Sequence, residues 1–467
     1  MKIENIDEPV RILNSNVDVK SVIREIAQDV NQEEAFYVCH LDEIVQKHRI
    51  WESRMPRVEP HYAVKCNDNI TVLEVLAALG TSFDCASKVE IAKVLSVGVS
   101  TDRIIFANPA KPASHVRYAA SVGVATMTFD NESELYKIQN LYPNARLVIR
   151  IRCDAVDAQC PLGMKFGCDP VKDAPYLLDI AKSLNLNVVG VSFHVGSGCR
   201  EATVFHRAIS FCKDLFNYAD NLGYCFTLLD IGGGYPGVRG SSIDEIANVV
   251  NDALDIFFPD PSIQIIAEPG RFYVTSAYTL TCNIHSIRNV GNREDGSRKM
   301  HKMYYINDGV YGSFNCILYD HQVVKPQPLR DYVGTKKYSS SIWGPTCDGL
   351  DQVIEDVVLP EMNIGDWIVF EDMGAYTLPV ASPFNGFPIP KVHYIASESV
   401  WNMLKDVVTM SEDSFKMMDG SMSKKLESAN NRYNYSDIPA TIELPHYNQK
   451  VVAGDHLLNY INISLIE

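Results

Sequence analysis

Between Pro60 and Gly270 the chain repeats one pattern eight times, a short apolar run followed by a segment with apolar residues three and four positions apart. The runs are PHYAVK (60–65), SFD (82–84), RIIFAN (103–108), ATMTFD (125–130), RLVIRIR (146–152), VVGVSFHV (188–195), FTLLDI (226–231) and QIIAEPG (264–270). In the intervening segments Val72, Leu73, Leu76 and Leu79 share one helical face, as do Ile243, Ile246, Ala247, Val250 and Leu254. Eight parallel strands, each followed by a helix, is the number that closes a (β/α)8 barrel, so the fold expected is a mixed α/β one. LDEIVQKHRI (41–50) is the helix entering the first strand.

Past about residue 277 the pattern changes to strand-like runs without regular helices, such as KMYYIND (302–308), DWIVFEDMG (366–374) and KVHYIA (391–396). The domain reading is therefore an N-terminal segment, 1–36, packing with a β domain or else forming a lid; a barrel, 37–277; the β domain itself, 278–407; and a polar tail, 408–467, without an assigned role. The net charge of −16 and a pI near 5.2 argue against a nucleic-acid or anionic-membrane binder, which needs clustered Lys and Arg. No apolar run approaches the roughly 20 residues of a membrane span. The twelve cysteines contain no C-x-x-C pair, which speaks against a zinc site and a disulfide framework and for a reduced, cytoplasmic setting.

Active sites of such barrels lie at the C-terminal strand ends. Here those ends carry Lys65, Asp84, Arg150, His194, the glycines 232–234 and Glu268. A lysine desolvated at that rim can lose its proton and attack a carbonyl to form a Schiff base. The glycines of DIGGGYPG (230–237) expose backbone N–H groups that can cradle a phosphate, and Arg271 can add a bidentate contact. Gly232, Gly234 and Gly237 also match G-x-G-x-x-G, but Pro236 disfavours the helix that a dinucleotide site would need. Amine, phosphate cup and a carboxylate able to keep a pyridine nitrogen protonated together point to pyridoxal 5'-phosphate, with His194 placed to stack on the ring.

PHYAVKCND (60–68), FDCASKVEI (83–91), FHVGSG (193–198), DIGGGYPG, AEPGR (267–271), NDGVYGSFNCILYDH (307–321), WGPTCDGLD (343–351) and MGAYT (373–377) resemble the eukaryotic ornithine decarboxylases, of the alanine-racemase-like pyridoxal phosphate fold. The resemblance runs from about 35 to 407 and implies decarboxylation of L-ornithine to putrescine. It implies Lys65 as the Schiff-base lysine, Glu268 as the pyridine-nitrogen partner and His194 as the stacking residue. Ser197, Gly233, Gly234, Gly270, Arg271 and Tyr376 would hold the cofactor, with Asp84 and Arg150 as a charged pair beside the lysine. Tyr319, Asp320, Cys347, Asp348 and Phe384 would bind substrate, Cys347 also returning a proton to Cα. The resemblance further implies a homodimer with shared sites, in which Asp320, Cys347, Asp348 and Tyr376 come from the partner's β domain. One departure is Pro161-Leu162-Gly163 where the family has Arg-Leu-Ser; Lys165 beyond it would pair with Asp351 across the dimer.

Two alternatives accompany this reading. One is a preference for lysine or arginine. The other is a catalytically inactive regulator resembling antizyme inhibitor, binding antizyme through 114–137. The presence of Lys65, Asp84, Arg150, Arg271, Asp320, Cys347 and Tyr376 favours the enzyme.

Overall fold

Eight parallel strands close into a barrel in the computed structural model, which describes residues 10–13, 18–160, 162–291, 300–404 and 415–417. They are β1 (Glu59–Ala63), β2 (Ser82–Cys85), β3 (Ile104–Phe106), β4 (Thr126–Phe129), β5 (Arg146–Ile151), β6 (Asn187–Phe193), β7 (Leu228–Asp230) and β8 (Gln264–Ala267). Each pairs in parallel with its sequence neighbours, and β8 returns to β1 through Ile266 opposite Glu59. All eight apolar runs read from the sequence supply a barrel strand. The helix expected over 41–50 runs over Leu41–Arg54. Helix Asp244–Phe257 buries Ile246, Ala247, Val250 and Leu254 on the face expected of it.

Side chains two apart on a strand face the same way, and this parity fills the barrel before it forms the rim. Ile105, Val148, Val189, Leu228 and Ile266, from five different strands, make a cluster of their own. Two positions beyond three of them stand Arg150, Asp230 and Glu268. The polar rim is thus the next layer above an apolar plug.

Lys65 does not extend β1. The strand stops at Ala63 and Lys65 sits in a single 3-10 turn, Val64–Cys66. Tyr62 Oη closes that turn by donating to Asn67 O at 2.9 Å, and Cys66 O accepts the Tyr376 N–H at 2.9 Å.

The second body of structure is a ten-stranded sheet built on the long strand Tyr278–Gly291. Phe36–His40 lies between that strand and Lys391–Ser397, and Val10–Leu13 pairs with the far side of Lys391–Ser397. The sheet therefore takes strands from both sides of the barrel sequence. Of the tail expected over 408–467, only Phe415–Met417 is described; it runs parallel to Val10–Leu13. Pro161 also lies outside the described residues.

Candidate active site

A cavity of about 420 Å³ opens over the barrel rim. Lys65, Arg150, His194, Ser197 and Glu268 line it from the barrel, and Tyr319, Asp320 and Tyr376 from the sheet body of the same chain. Cys160, Leu162, Lys165 and Phe166 cover one side. They belong to a segment fastened by a two-stranded hairpin, Ala158–Cys160 against Ser197–Cys199, with Ser197 opposite Cys160.

The Lys65 ammonium donates to Asp84 Oδ2, and Asp84 is fully buried with Oδ1 left without a partner. Burial pulls the Lys65 pKa down, as the sequence reading supposed. The Asp84 and Glu268 carboxylates outweigh it and hold the amine well above its ordinary value. The free lysine is therefore a stored cation, not a desolvated neutral amine, and its proton has a buried acceptor beside it. Ser87 Oγ, three residues past Asp84, caps the next helix by accepting the Glu90 N–H at 3.3 Å, which fixes the chain where β2 delivers its carboxylate.

Glu268 is 7 % exposed, and burial first, then the Asp230 carboxylate, pushes its pKa well up. Burial likewise lifts Asp230 to about 7, while its Oδ1 accepts the Gly232 N–H at 2.9 Å. Burial and the neighbouring carboxyl both favour the protonated form in this pair, which suits a basic ring nitrogen. His194 is the reverse case. Burial, then Arg150, Lys65 and Arg271, drive its pKa well below the ordinary value, and Nδ1 accepts the Gly196 N–H at 3.0 Å. The imidazole is thus neutral, with its remaining proton on Nε2.

The anion cradle forms where β7 ends. A Cβ on Gly233 would stand 2.8 Å from both Glu268 O and His194 Nε2. Gly234 holds φ +117° with its would-be Cβ 2.8 Å from Gly196 O, so only glycine lets the backbone enter here. Arg271, which follows Gly270, donates from Nε and Nη2 to Ser197 Oγ at 3.0 and 2.7 Å. Its guanidinium lies over the Tyr376 ring, 5.1 Å from the centroid. Tyr376 itself sits at φ +54°, a left-handed strain of the kind that collects at functional sites.

Four expectations change. Asp320 and Tyr376 reach the cavity from this chain and not from a partner, because the sheet body covers the mouth of its own barrel. Asp84 pairs with Lys65 rather than with Arg150, whose guanidinium instead lies 5.5 Å from the centre of the Phe166 ring. Asp351 is not an open acid: it is 1 % exposed, with Oδ1 accepting the Val310 N–H at 2.8 Å and Oδ2 accepting Thr346 N–H and Oγ at 2.9 and 2.7 Å. Lys65 is off the strand end, as described above.

Cys347, Asp348 and Phe384 do not line this cavity. They form a group of their own on the sheet body. Tyr311 Oη donates to Asp348 Oδ2, the Tyr311 and Phe384 rings lie 4.5 Å apart, and the Cys347 N–H reaches Asn385 Oδ1 at 3.3 Å. Sequence reading missed Asp230, Gln159 and Tyr311. Asp230 was within reach, being an acid two positions beyond inward-facing Leu228; Gln159 carries no signal in the sequence.

An ion-paired lysine above a parallel barrel, facing a glycine cradle with an arginine, defines an enzyme that binds a phosphorylated carbonyl cofactor through its lysine. Comparison with known proteins narrows the class. Residues 41–275 match the model for the pyridoxal binding domain of pyridoxal-dependent decarboxylases. Ornithine decarboxylase of Rattus norvegicus is 48% identical over 414 residues, spanning 85% of this chain and 88% of that one. Antizyme inhibitor 2 of Xenopus laevis is 48% identical over 405 residues, spanning 83% and 87%. The arginine decarboxylase of Paramecium bursaria Chlorella virus, solved with agmatine, superposes with a TM-score of 0.76 at 38% identity, covering 80% of this chain and all of that one.

The chain belongs to the pyridoxal-dependent decarboxylase family, with pyridoxal phosphate as cofactor. The residues fit that group: Gly234, Ser197 and Arg271 suit its phosphate, His194 offers a neutral flat face, and the Glu268 and Asp230 carboxyls hold a proton for its ring nitrogen.

Proposed function

We propose that this protein decarboxylates L-ornithine to putrescine, on the strength of one observation above all: the Asp320 carboxylate lines the same cavity as the Lys65 amine. An α-amino acid carrying a second, distal ammonium needs that combination, an amine site for its α end and an anion for the far end. When bound, pyridoxal phosphate supplies the carbonyl carbon that Lys65 engages and the electron-withdrawing ring that accepts the electron pair of the broken Cα–carboxylate bond. Asp84, the hydrogen-bond partner of Lys65, would hold and orient the amine for that carbonyl carbon. Ser197, Arg271 and the Gly234 backbone would hold the phosphate, and His194 would offer its flat face to the ring. Glu268 holds the proton at the ring nitrogen. Leu162 and Phe166 keep water from the reacting carbon.

A donor must return a proton to Cα once carbon dioxide has gone. We assign that role to Cys347, with Asp348 as second anion for the distal ammonium, both delivered by a second copy of the chain. The support is their clustering with Phe384 and Tyr311 beside the exposed apolar side chain of Leu350. Asp348 is held as an anion by the Leu350 N–H and by Tyr311. The segment 114–137, which covers most of helix Ala113–Val122 and most of Glu132–Leu141, is the surface we assign to antizyme. All twelve cysteines are free, which supports a cytoplasmic setting, and among the described residues no helix is long and apolar enough to cross a membrane.

Relatives named as decarboxylase and as antizyme inhibitor are equally similar in identity. The completeness of the site favours the enzyme. Release of carbon dioxide from ornithine, lysine and arginine by one preparation tests this directly. One methylene is worth about 1–3 kcal/mol, so lysine should be used roughly 10- to 200-fold less efficiently than ornithine. A higher kcat/KM for lysine or arginine would overturn the substrate assignment and leave the cofactor assignment standing. Asp348→Ala should lose most of its kcat/KM for ornithine, because it leaves the distal ammonium without a partner; unchanged kinetics would remove Asp348 from the site.

A further inference from the structure

Asp320 serves two sites at once. Its Oδ1 accepts from Arg271 Nη2 at 2.7 Å, an ion pair whose side chains are only 9% and 7% exposed. The same Nη2 and the adjacent Nε hold Ser197 Oγ, at the centre of the anion cradle. Gln159, on the hairpin that carries the covering segment, donates from Nε2 to the Asp320 backbone carbonyl and to its Oδ2 at 3.3 Å. Gln159 is in turn packed against the cradle hairpin, where a Cβ on Gly198 would stand 2.8 Å from its Oε1. Asp320 thus faces the cavity with one oxygen committed to the arginine of the phosphate site and its peptide committed to Gln159.

A phosphate arriving at Ser197 and Arg271 changes this balance. Arg271 is the cation beside both anions, and each anion that draws on it weakens its hold on the other. A carboxylate deprived of part of its counter-ion in a low-dielectric site attracts another cation more strongly. Beside the resident Lys65, Arg150 and Lys165, the cation that can enter the cavity is the distal ammonium of the substrate. We propose that Asp320 is a carboxylate shared between phosphate and substrate sites, so that cofactor and diamino substrate bind with positive coupling through Arg271, and that Gln159 is the positioning residue that keeps Asp320 aimed when Arg271 turns to the phosphate. The inference rests on the functional reading above. Linkage makes the effect reciprocal: with no substrate ammonium in the cavity, Asp320 opposes the phosphate.

The test uses holoenzyme and two variants. Asp320→Asn keeps the shape and removes the charge; dissociation of pyridoxal phosphate, followed by its visible absorbance during dialysis, should show a Kd at least about five-fold tighter than in the unmodified protein. An equal or weaker Kd overturns the coupling. Gln159→Leu keeps the bulk and removes the donor; KM for ornithine should rise about ten-fold with kcat within about two-fold and cofactor affinity unchanged. Unchanged KM, or kcat falling together with cofactor retention, overturns the positioning role. Failure of the unmodified protein to bind the cofactor through Lys65 would defeat the functional reading itself, whereas normal binding with an unaltered Asp320→Asn affinity defeats only the coupling.

Discussion

Lys65→Ala is expected to abolish the visible absorbance of bound cofactor and to lower carbon dioxide release from ornithine by at least about 10³-fold. An amine fixed beside its target works at an effective concentration of about 10⁵ M or more, which no free amine in solution replaces. The variant also leaves Asp84, which is fully buried, without its cation. A buried carboxylate stripped of its partner costs about 3–5 kcal/mol, and the Oδ1 of Asp84 is already without a partner. Melting should therefore fall measurably less for the double variant Lys65→Met, Asp84→Asn than for Lys65→Ala alone. Retention of the normal absorbance in Lys65→Ala would remove Lys65 from its assigned role.

The barrel was legible because each of its strands is a short apolar run bounded by breaks, the pattern that a strand covered on both faces requires. Most of the rim was legible for the same reason. Inward parity carries Val148 to Arg150 and Ile266 to Glu268 without any knowledge of the third dimension. What periodicity does not encode is which distant chain segment faces the rim. Asp320 stands 255 positions after Lys65, and only the way the sheet body covers the barrel mouth assigns it to the same chain's cavity. The sign of the Lys65 shift was hidden for a related reason. Burial can be guessed from neighbouring apolar residues, but the two carboxylates that reverse its effect come from β2 and from just beyond β8, and their sum is a property of closure. The hairpin Ala158–Cys160 with Ser197–Cys199 was unreadable because three residues are too few to show a period. Asp351 looked like an acid free to pair, yet Thr346 of its own loop and Val310 of a distant segment consume its oxygens.

Mixing two inactive proteins should restore activity if the site is completed across a dimer. Lys65→Ala lacks the amine of the barrel half, while Cys347→Ala lacks the thiol of the sheet half. In this chain those halves are separate: Cys347 is exposed, does not line the Lys65 cavity, and belongs to the group tied together by Tyr311, Asp348, Phe384 and Asn385. A two-fold dimer that brings this group to a partner's barrel builds two equivalent sites. In a mixed dimer one site then carries both lesions and the other carries neither. Equal amounts and free exchange make half of the dimers mixed, so about a quarter of all sites are intact and about a quarter of the native activity should return. The side chains that would meet across that contact include Leu350, 72% exposed, and Phe384, 42% exposed, apolar surface whose burial supplies a driving force for association. A site completed within one chain would give no recovery. With subunit exchange verified by differently sized tags, absence of recovered carbon dioxide release would place Cys347 outside the reaction or return the whole site to a single subunit.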